Sequence, residues 1–178
     1  MDPAQALQAQ FDTFWSIFFF KWFVPGALIF IGVTTWLEGV FGSAKGRIGE
    51  KIVGSLLAGV AEEVRNDVLL PNGRGGWTQV DHLALMPSGI WVVETKNYQG
   101  RIFGKARQKT WTQKLGRQKN QFQNPLHQNY GHLKALEASL PDTPIHGLVV
   151  FSNQAQFPKG RPEGVVQARD LATHLQEA

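Results

Sequence analysis

Cysteine is absent from the 178 residues, which excludes disulfide staples, thiolate nucleophiles and the usual cysteine-ligated structural zinc. Histidine is scarce, with five residues at positions 82, 127, 132, 146 and 174. None has a metal-ligand spacing: His127 and His132 are five apart, off a common helix face, so all five read as structural or surface residues. Acid is missing from one long stretch. Between Thr95 and Leu136 there is no Asp or Glu, yet nine basic residues fall there: Lys96, Arg101, Lys105, Arg107, Lys109, Lys114, Arg117, Lys119 and Lys134. Half of the 18 Lys and Arg therefore lie in one segment, within a chain whose 14 Asp and Glu leave a net charge of +4. On its own such a run suits a solvated hairpin, but next to an acid cluster it points to a polyanion, nucleic acid above all.

Long apolar runs are also few, and the one that exists lies near the start. Residues 1 to 13 are polar and carry no basic residue, after which Phe14 to Leu37 is apolar apart from Lys21 and a few hydroxyls. At roughly 1.5 Å per residue a helix of this length reaches across a ~30 Å hydrocarbon core. Lys21 lies in the first third, where it snorkels outwards, Pro25 and Gly26 kink such a helix without forbidding it, and Trp15, Trp22 and Trp36 suit interfacial depths. A cleaved signal peptide fits poorly, because no positive charge precedes the run and the run is too long. The expectation is a single-pass transmembrane helix over about 14–37 within an N-terminal segment 1–41, with an interfacial or partner-binding helix as the alternative. Lys45, Arg47 and Lys51 follow the run while acids precede it, which places the remaining domain, 42–178, on the cytoplasmic side of the membrane.

Beyond the short linker Gly42-Ser43-Ala44, apolar residues at Ile48, Ile52, Val53, Leu56, Leu57 and Val60 recur at a helical period, with Glu50 off the stripe. Glu63 to Leu70 reads as a first strand, and Pro71 to Gly76 as a Gly-rich loop. Two strands follow around Pro87-Ser88-Gly89, then an exposed hairpin from Gly100–Gly104 to Thr110–Gln113 with Lys105, Arg107 and Lys109 at its tip. Asn124-Pro125 is an N-cap followed by Pro at the first helical position. The helix it starts runs to about Leu140, with Leu126, Tyr130, Leu133, Leu136 and Leu140 inward and with Gln123 and Gln128 near the substrate. Ile145–Phe151 reads as a buried strand, Val165-Val166 as a short one, and Asp170–Glu177 as a terminal helix. This alternation predicts an α/β fold with a mixed sheet.

The chemistry concentrates in the central strands. Read with period two, Asp81, Leu83 and Leu85 share one face of a strand, and Ile90, Val92, Glu94 and Lys96 share one face of the next. Pairing across the turn brings the Asp81 and Glu94 carboxylates towards one hard cation, with Lys96 pointing the same way. A Glu-x-Lys in a strand is often accidental. Here the strand is apolar on both faces, and charges at the end of a buried strand are costly unless paired or metal-bound. The pattern suits cleavage of a phosphodiester.

These pieces resemble the nuclease-related domain, NERD, a branch of the PD-(D/E)xK nuclease superfamily that includes restriction endonucleases and Holliday junction resolvases. The matching residues are Gly49-Glu50, Gln79-Val80-Asp81-His82, Glu94-Thr95-Lys96-Asn97, Gly100 and Gly104 around Ile102, Trp111, and Asn124-Pro125 with Gln128. Val80 stands where the superfamily motif has Pro. The resemblance implies a restriction-endonuclease-like mixed central sheet flanked by helices. It implies that Asp81 and Glu94 bind Mg²⁺ (or Mn²⁺), that Lys96 assists the attacking water, and that Glu50 and Gln128 complete the site. The expected function is a membrane-anchored nuclease, with a non-catalytic nucleic-acid-binding or signalling module on the same fold as the alternative. Expected partners are nucleic acid, chiefly DNA, contacted by Arg101, Lys105, Arg107, Lys109, Lys114, Arg117 and Lys119; the membrane; and a second copy or another protein.

Overall fold

Two runs in which nearly every residue is apolar, Ile90–Val93 and Leu148–Phe151, become neighbouring inner strands of the computed structural model, which describes residues 46–178. In chain order the elements are α1 (residues 46–58), β1 (Glu63–Pro71), β2 (Trp77–Met86), β3 (Gly89–Lys96), β4 (Gly100–Phe103), β5 (Thr110–Leu115), β6 (Gln118–Gln123), α2 (Pro125–Ser139), β7 (Ile145–Phe151), β8 (Ala155–Gln156), β9 (Val165–Gln167) and α3 (Leu171–Gln176), the last preceded by a 3₁₀ turn at Ala168–Asp170. A five-stranded sheet has the order β1-β2-β3-β7-β9 and a four-stranded sheet the order β6-β5-β4-β8. Strands β1, β2 and β3 pair antiparallel, while β3–β7 and β7–β9 are parallel, so the sheet is mixed as expected.

Each face of the larger sheet has its own cover. Trp91, Val93, Leu148 and Val150 pack against Val53 and Leu57 of α1 and Leu171 and Leu175 of α3. On the opposite face Val92 meets Leu136 of α2, and Val149 and Phe151 meet Ile102 and Trp111 of the smaller sheet. Helices thus flank the sheet on both sides, as an α/β layer arrangement requires.

The Asn124-Pro125 start behaves as expected and does more. The Asn124 side chain accepts from the Leu126 N–H at 2.9 Å, capping α2. Its amide also donates to the Ala106 and Gln108 carbonyls at 2.8 and 2.7 Å, clamping the β4–β5 loop to the helix. Trp111 is fully buried and lies flat against Gly104, where any β-carbon would run into the ring.

Three expectations need correction. Leu126, Leu133 and Leu136 pack inward as expected, but Tyr130 and Leu140 are 59 % and 39 % exposed, and Asn129, His132 and Ala135 are buried on α2. Asn129 lies between the strands and donates to the carbonyls of Val92 and Leu148, so an amide as well as apolar side chains seats the helix. On α1 only Val53 and Leu57 of the apolar stripe are buried, and Ile48, Ile52 and Leu56 are exposed. Finally, β6 was not anticipated: Gln118–Gln123 is polar except for Phe122, which suits an edge strand but leaves no alternation to read. The apolar run Phe14–Leu37 lies outside the described residues; among the described residues no helix is long and apolar enough to cross a membrane.

Candidate active site

Alternation fails at one point in both β1 and β2, and that failure builds the site. In β2, Thr78 and Val80 face α2, whereas His82, Ala84 and Met86, also even-numbered, face the α1 side. In β1, Val64 and Asn66 face the α1 side and Val68 and Leu70 the α2 side. The period therefore slips at Asp67 and Asp81, the one opposed pair missing from the β1–β2 ladder. Asp67 has a φ of 54°, the left-handed region that Asp tolerates better than most residues. The expectation that Asp81 shares a plain strand face with Leu83 and Leu85 is thus corrected: Leu83 packs on the α2 side, and Asp81 sits at the slip between the two faces.

At the slip, Asp81 Oδ2 accepts the Thr95 N–H at 2.8 Å, which ties it to the backbone beside Glu94. Behind it His82 joins Asn66 Oδ1 at 2.7 Å and Thr95 Oγ1 at 3.1 Å, holding three strands in register. Burial lowers the His82 pKa to about 4 against the pull of Asp67 and Glu94, so its ring is neutral at pH 7. Asp81 is pushed the other way, up to about 6, first by burial and then by the Glu94 charge, with the Thr95 N–H opposing.

Glu94 and Lys96 lie on the α2 face at the carboxyl end of β3, as expected. Lys96 Nζ donates to Glu94 Oε1 at 2.7 Å and to Gln128 Oε1 at 3.1 Å. Glu94 is 2 % exposed. Burial raises its pKa, but the nearness of His132 and Lys96 outweighs this and leaves it below the usual carboxylate value. His132 Nε2 stands 3.2 Å from Glu94 Oε2, an ion-pair distance, yet off the line that a hydrogen bond needs; both atoms are buried without a hydrogen-bond partner. His132 Nδ1 meets Thr78 Oγ1 at 2.9 Å, which holds the ring beside Glu94.

Glu50 reaches the same end of the sheet from α1. A β-carbon at Gly49 would lie 2.6 Å from Asn97 Cβ, so only glycine lets the helix approach this closely. Burial, then the charges of Asp67 and Glu94, raise the Glu50 pKa, with Arg47 and Lys96 opposing. Glu50, Asp67, Asp81 and His82 line a cleft of about 580 Å³ on the α1 side. A second cleft of about 820 Å³ on the α2 side is lined by Thr78, Gln128 and His132. Glu94 and Lys96 join the two sides through their neighbours, Asp81 on the α1 side and Gln128 and His132 on the α2 side.

All five expected site residues converge here, and His132 joins them. Its signal is in the sequence: it is four residues after Gln128 and so on the same helix face. The basic residues lie on the smaller sheet. Arg101, Lys114 and Lys119 are directly opposed across β4, β5 and β6, forming one row. Lys105, Arg107 and Lys109 occupy the β4–β5 loop and Arg117 the β5–β6 turn. The ion pairs among the described residues include none of these seven.

The profile of the nuclease-related domain matches residues 45–152, more than half of the chain. The chain belongs to the nuclease-related domain family. An uncharacterized protein of Bacillus anthracis is 44 % identical to this NERD chain over 96 residues, 52 % of the chain and 45 % of that protein. The chain therefore spans less than half the length of that relative. No solved structure matches the NERD chain. The mixed α/β architecture fits a nuclease-like fold, and the family supports nuclease-related function at that level.

Proposed function

We propose that this NERD protein is a metal-dependent nuclease that hydrolyses phosphodiester bonds of nucleic acid, DNA foremost, and that the Phe14–Leu37 run tethers it to a membrane with residues 42–178 on the cytoplasmic side. The observation that carries the nuclease reading is the buried Glu94–Lys96 pair beside Asp81, at the end of a central strand and followed by an acid-free basic sheet.

Two features fit a divalent cation. Glu94 Oε2 is a buried oxygen without a hydrogen bond, and the Asp81 and Glu50 carboxyls are both raised, first by burial and then by neighbouring negative charge. Among the described residues no three His, Asp or Glu side chains gather closely enough to ligate a metal on their own. Mg²⁺ does not require such a cluster, since it is usually bound by one or two carboxylates together with waters and substrate phosphates. Asp81 and Glu94 would hold it, and when bound it neutralises a non-bridging phosphate oxygen and lowers the pKa of its water. Gln128 and Glu94 fix the Lys96 ammonium, which steers the attacking water or stabilises the charge that develops. With its carbonyl oxygen committed to Lys96, Gln128 keeps its amide N–H groups for a substrate oxygen. Glu50 adds negative charge on the far side of Asp81 and orients water or a second ion.

Relaxation of supercoiled plasmid by the full chain in Mg²⁺, and its absence in EDTA, is the direct test. A chain that binds nucleic acid but never cuts it would convert the reading to a non-catalytic module on the same fold. Fractionation tests the tether: the full chain should stay with membranes through alkaline carbonate washing, and recovery in the soluble fraction would refute it.

A further inference from the structure

Trp77 and Tyr130 are the two large aromatic side chains most exposed among the described residues, at 70 % and 59 %, and both line the α2-side cleft. Exposed aromatics are expensive to leave in water, and two that line one cleft, with Lys134 Nζ 5.4 Å from the Tyr130 ring centroid, mark a binding surface. Both are fixed to the catalytic groups by short stretches of backbone. Trp77 immediately precedes Thr78, which holds His132, and Tyr130 lies midway between Gln128 and His132 on α2. The Trp77 end is also rigid: Asn72 Oδ1 accepts from the Arg74 and Gly76 N–H groups at 2.9 and 3.0 Å, and Asn72 N donates to the Gly76 carbonyl at 2.9 Å. Gln79 and Gln123 supply uncharged donors and acceptors to the walls, and Arg74 and His127 line the same cleft. Its volume of about 820 Å³ falls in the roughly 300–1,000 Å³ range of clefts that enclose compact ligands.

We propose that this cleft binds an unpaired nucleic-acid strand, whose bases stack on Trp77 and Tyr130 and whose backbone is thereby brought to Gln128 and His132, the cleft residues that touch Lys96 and Glu94. In a duplex the base faces are covered by their neighbours, and exposed rings have nothing to stack on; in an unpaired strand every base offers a face. The Gln79 and Gln123 amides suit base edges, while Arg74 and Lys134, which also line the cleft, suit phosphates. The substrate class of the proposed nuclease is then single-stranded or frayed nucleic acid. This rests on the nucleolytic reading only for the identity of the ligand.

The test is binding in EDTA by the full chain, measured as fluorescence anisotropy with labelled oligothymidylate and with a blunt duplex of equal length. Trp77→Ala and Tyr130→Ala should each weaken oligothymidylate binding about ten- to hundredfold, the worth of one stacked base, while duplex affinity stays within twofold. Trp77→Phe should restore most of the loss. An abasic oligomer should bind the unaltered chain as weakly as oligothymidylate binds Trp77→Ala. Oligothymidylate affinity unchanged in both alanine variants, or equal losses for duplex and single strand, would overturn the proposal. So would a dimer in sedimentation that Trp77→Ala converts to monomer, since the aromatics would then be an interface. Cleavage in Mg²⁺ is scored separately: aromatic-dependent single-strand binding without cutting ends the nuclease reading and supports the cleft, whereas cutting that ignores both aromatic variants does the reverse.

Discussion

At the residue scale, two neighbours in sequence have been driven in opposite directions by the same burial. Asp81 holds its proton up to about pH 6 and His82 loses its proton near pH 4. The consequences for stability have opposite signs. Between roughly pH 4 and 6 the folded chain binds more protons at Asp81 than the unfolded chain does, so stability falls as pH rises, by at most about 1.4 kcal/mol per unit. At His82 the folded chain binds fewer protons over roughly pH 4 to 6.5, so stability rises with pH by a similar amount. The two offset each other, and urea midpoints of the unaltered chain should be nearly flat across that window. Asp81→Asn should unmask the His82 contribution and give a midpoint that rises with pH; a flat profile in that variant would refute the assignment. The same carboxyl limits the chemistry, because it must be ionised to hold a cation, so cleavage should decline as pH falls through about 6. Glu94→Gln keeps the shape of the site, loses a ligand charge, and should abolish Mg²⁺-dependent cleavage with duplex affinity in EDTA intact. Lys96→Ala should retain metal binding while turnover drops about 10²- to 10³-fold, the value typical of a well-placed charge-stabilising donor. Activity that survives both Asp81→Asn and Glu94→Gln would dismiss this site.

At the element scale, the legible parts were those whose signal is local. The apolar runs of β3 and β7, the Pro87-Ser88-Gly89 turn and the Asn124-Pro125 helix start are written in neighbouring residues and were readable from them. The slip at Asp67 and Asp81 was not, because a change of face depends on what each strand packs against further along, and Val80 and Ala84 look alike in sequence. On α2 the spacing of Leu126, Leu133 and Leu136 marks an inward face and all three pack inward, but the helix also seats on a polar site through Asn129 and His132, which apolar spacing does not mark, while Tyr130 and Leu140 are exposed. Asn124 shows how one polar residue joins two elements. Asn124→Ala removes the α2 cap, typically worth about 1 kcal/mol, and deletes the two hydrogen bonds to the Ala106 and Gln108 carbonyls, at about 0.5–1.5 kcal/mol each. A loss of roughly 2–4 kcal/mol in urea unfolding is expected, with Asn124→Asp recovering only the cap portion. A loss below about 1 kcal/mol for the alanine variant would show that the loop clamp contributes nothing.

At the scale of the whole molecule, charge is divided between the two sheets. The larger sheet carries Asp81 and Glu94, with Glu50 of α1 beside them, whereas the smaller one carries Arg101, Lys114 and Lys119 in a single cross-strand row, backed by Lys105, Arg107 and Lys109 in the adjoining loop. Like charges directly opposed across strands cost stability, so a row of three calls for an anion to offset it. A nucleic-acid backbone supplies that anion, and the row and the loop make separable claims on it. Replacing Arg101, Lys114 and Lys119 by Gln should flatten the dependence of log K on log salt by up to about 0.9 for each duplex phosphate that is no longer neutralised, and should raise stability in the absence of nucleic acid as the repulsion goes. Replacing Lys105, Arg107 and Lys109 by Gln should flatten the slope too, but with no gain in stability, because loop residues are not held opposite one another. If neither triple variant changes the slope, the smaller sheet faces away from the substrate. If only the row variant changes it, the backbone runs across the strands towards Gln156, the residue paired with Arg101 on β8.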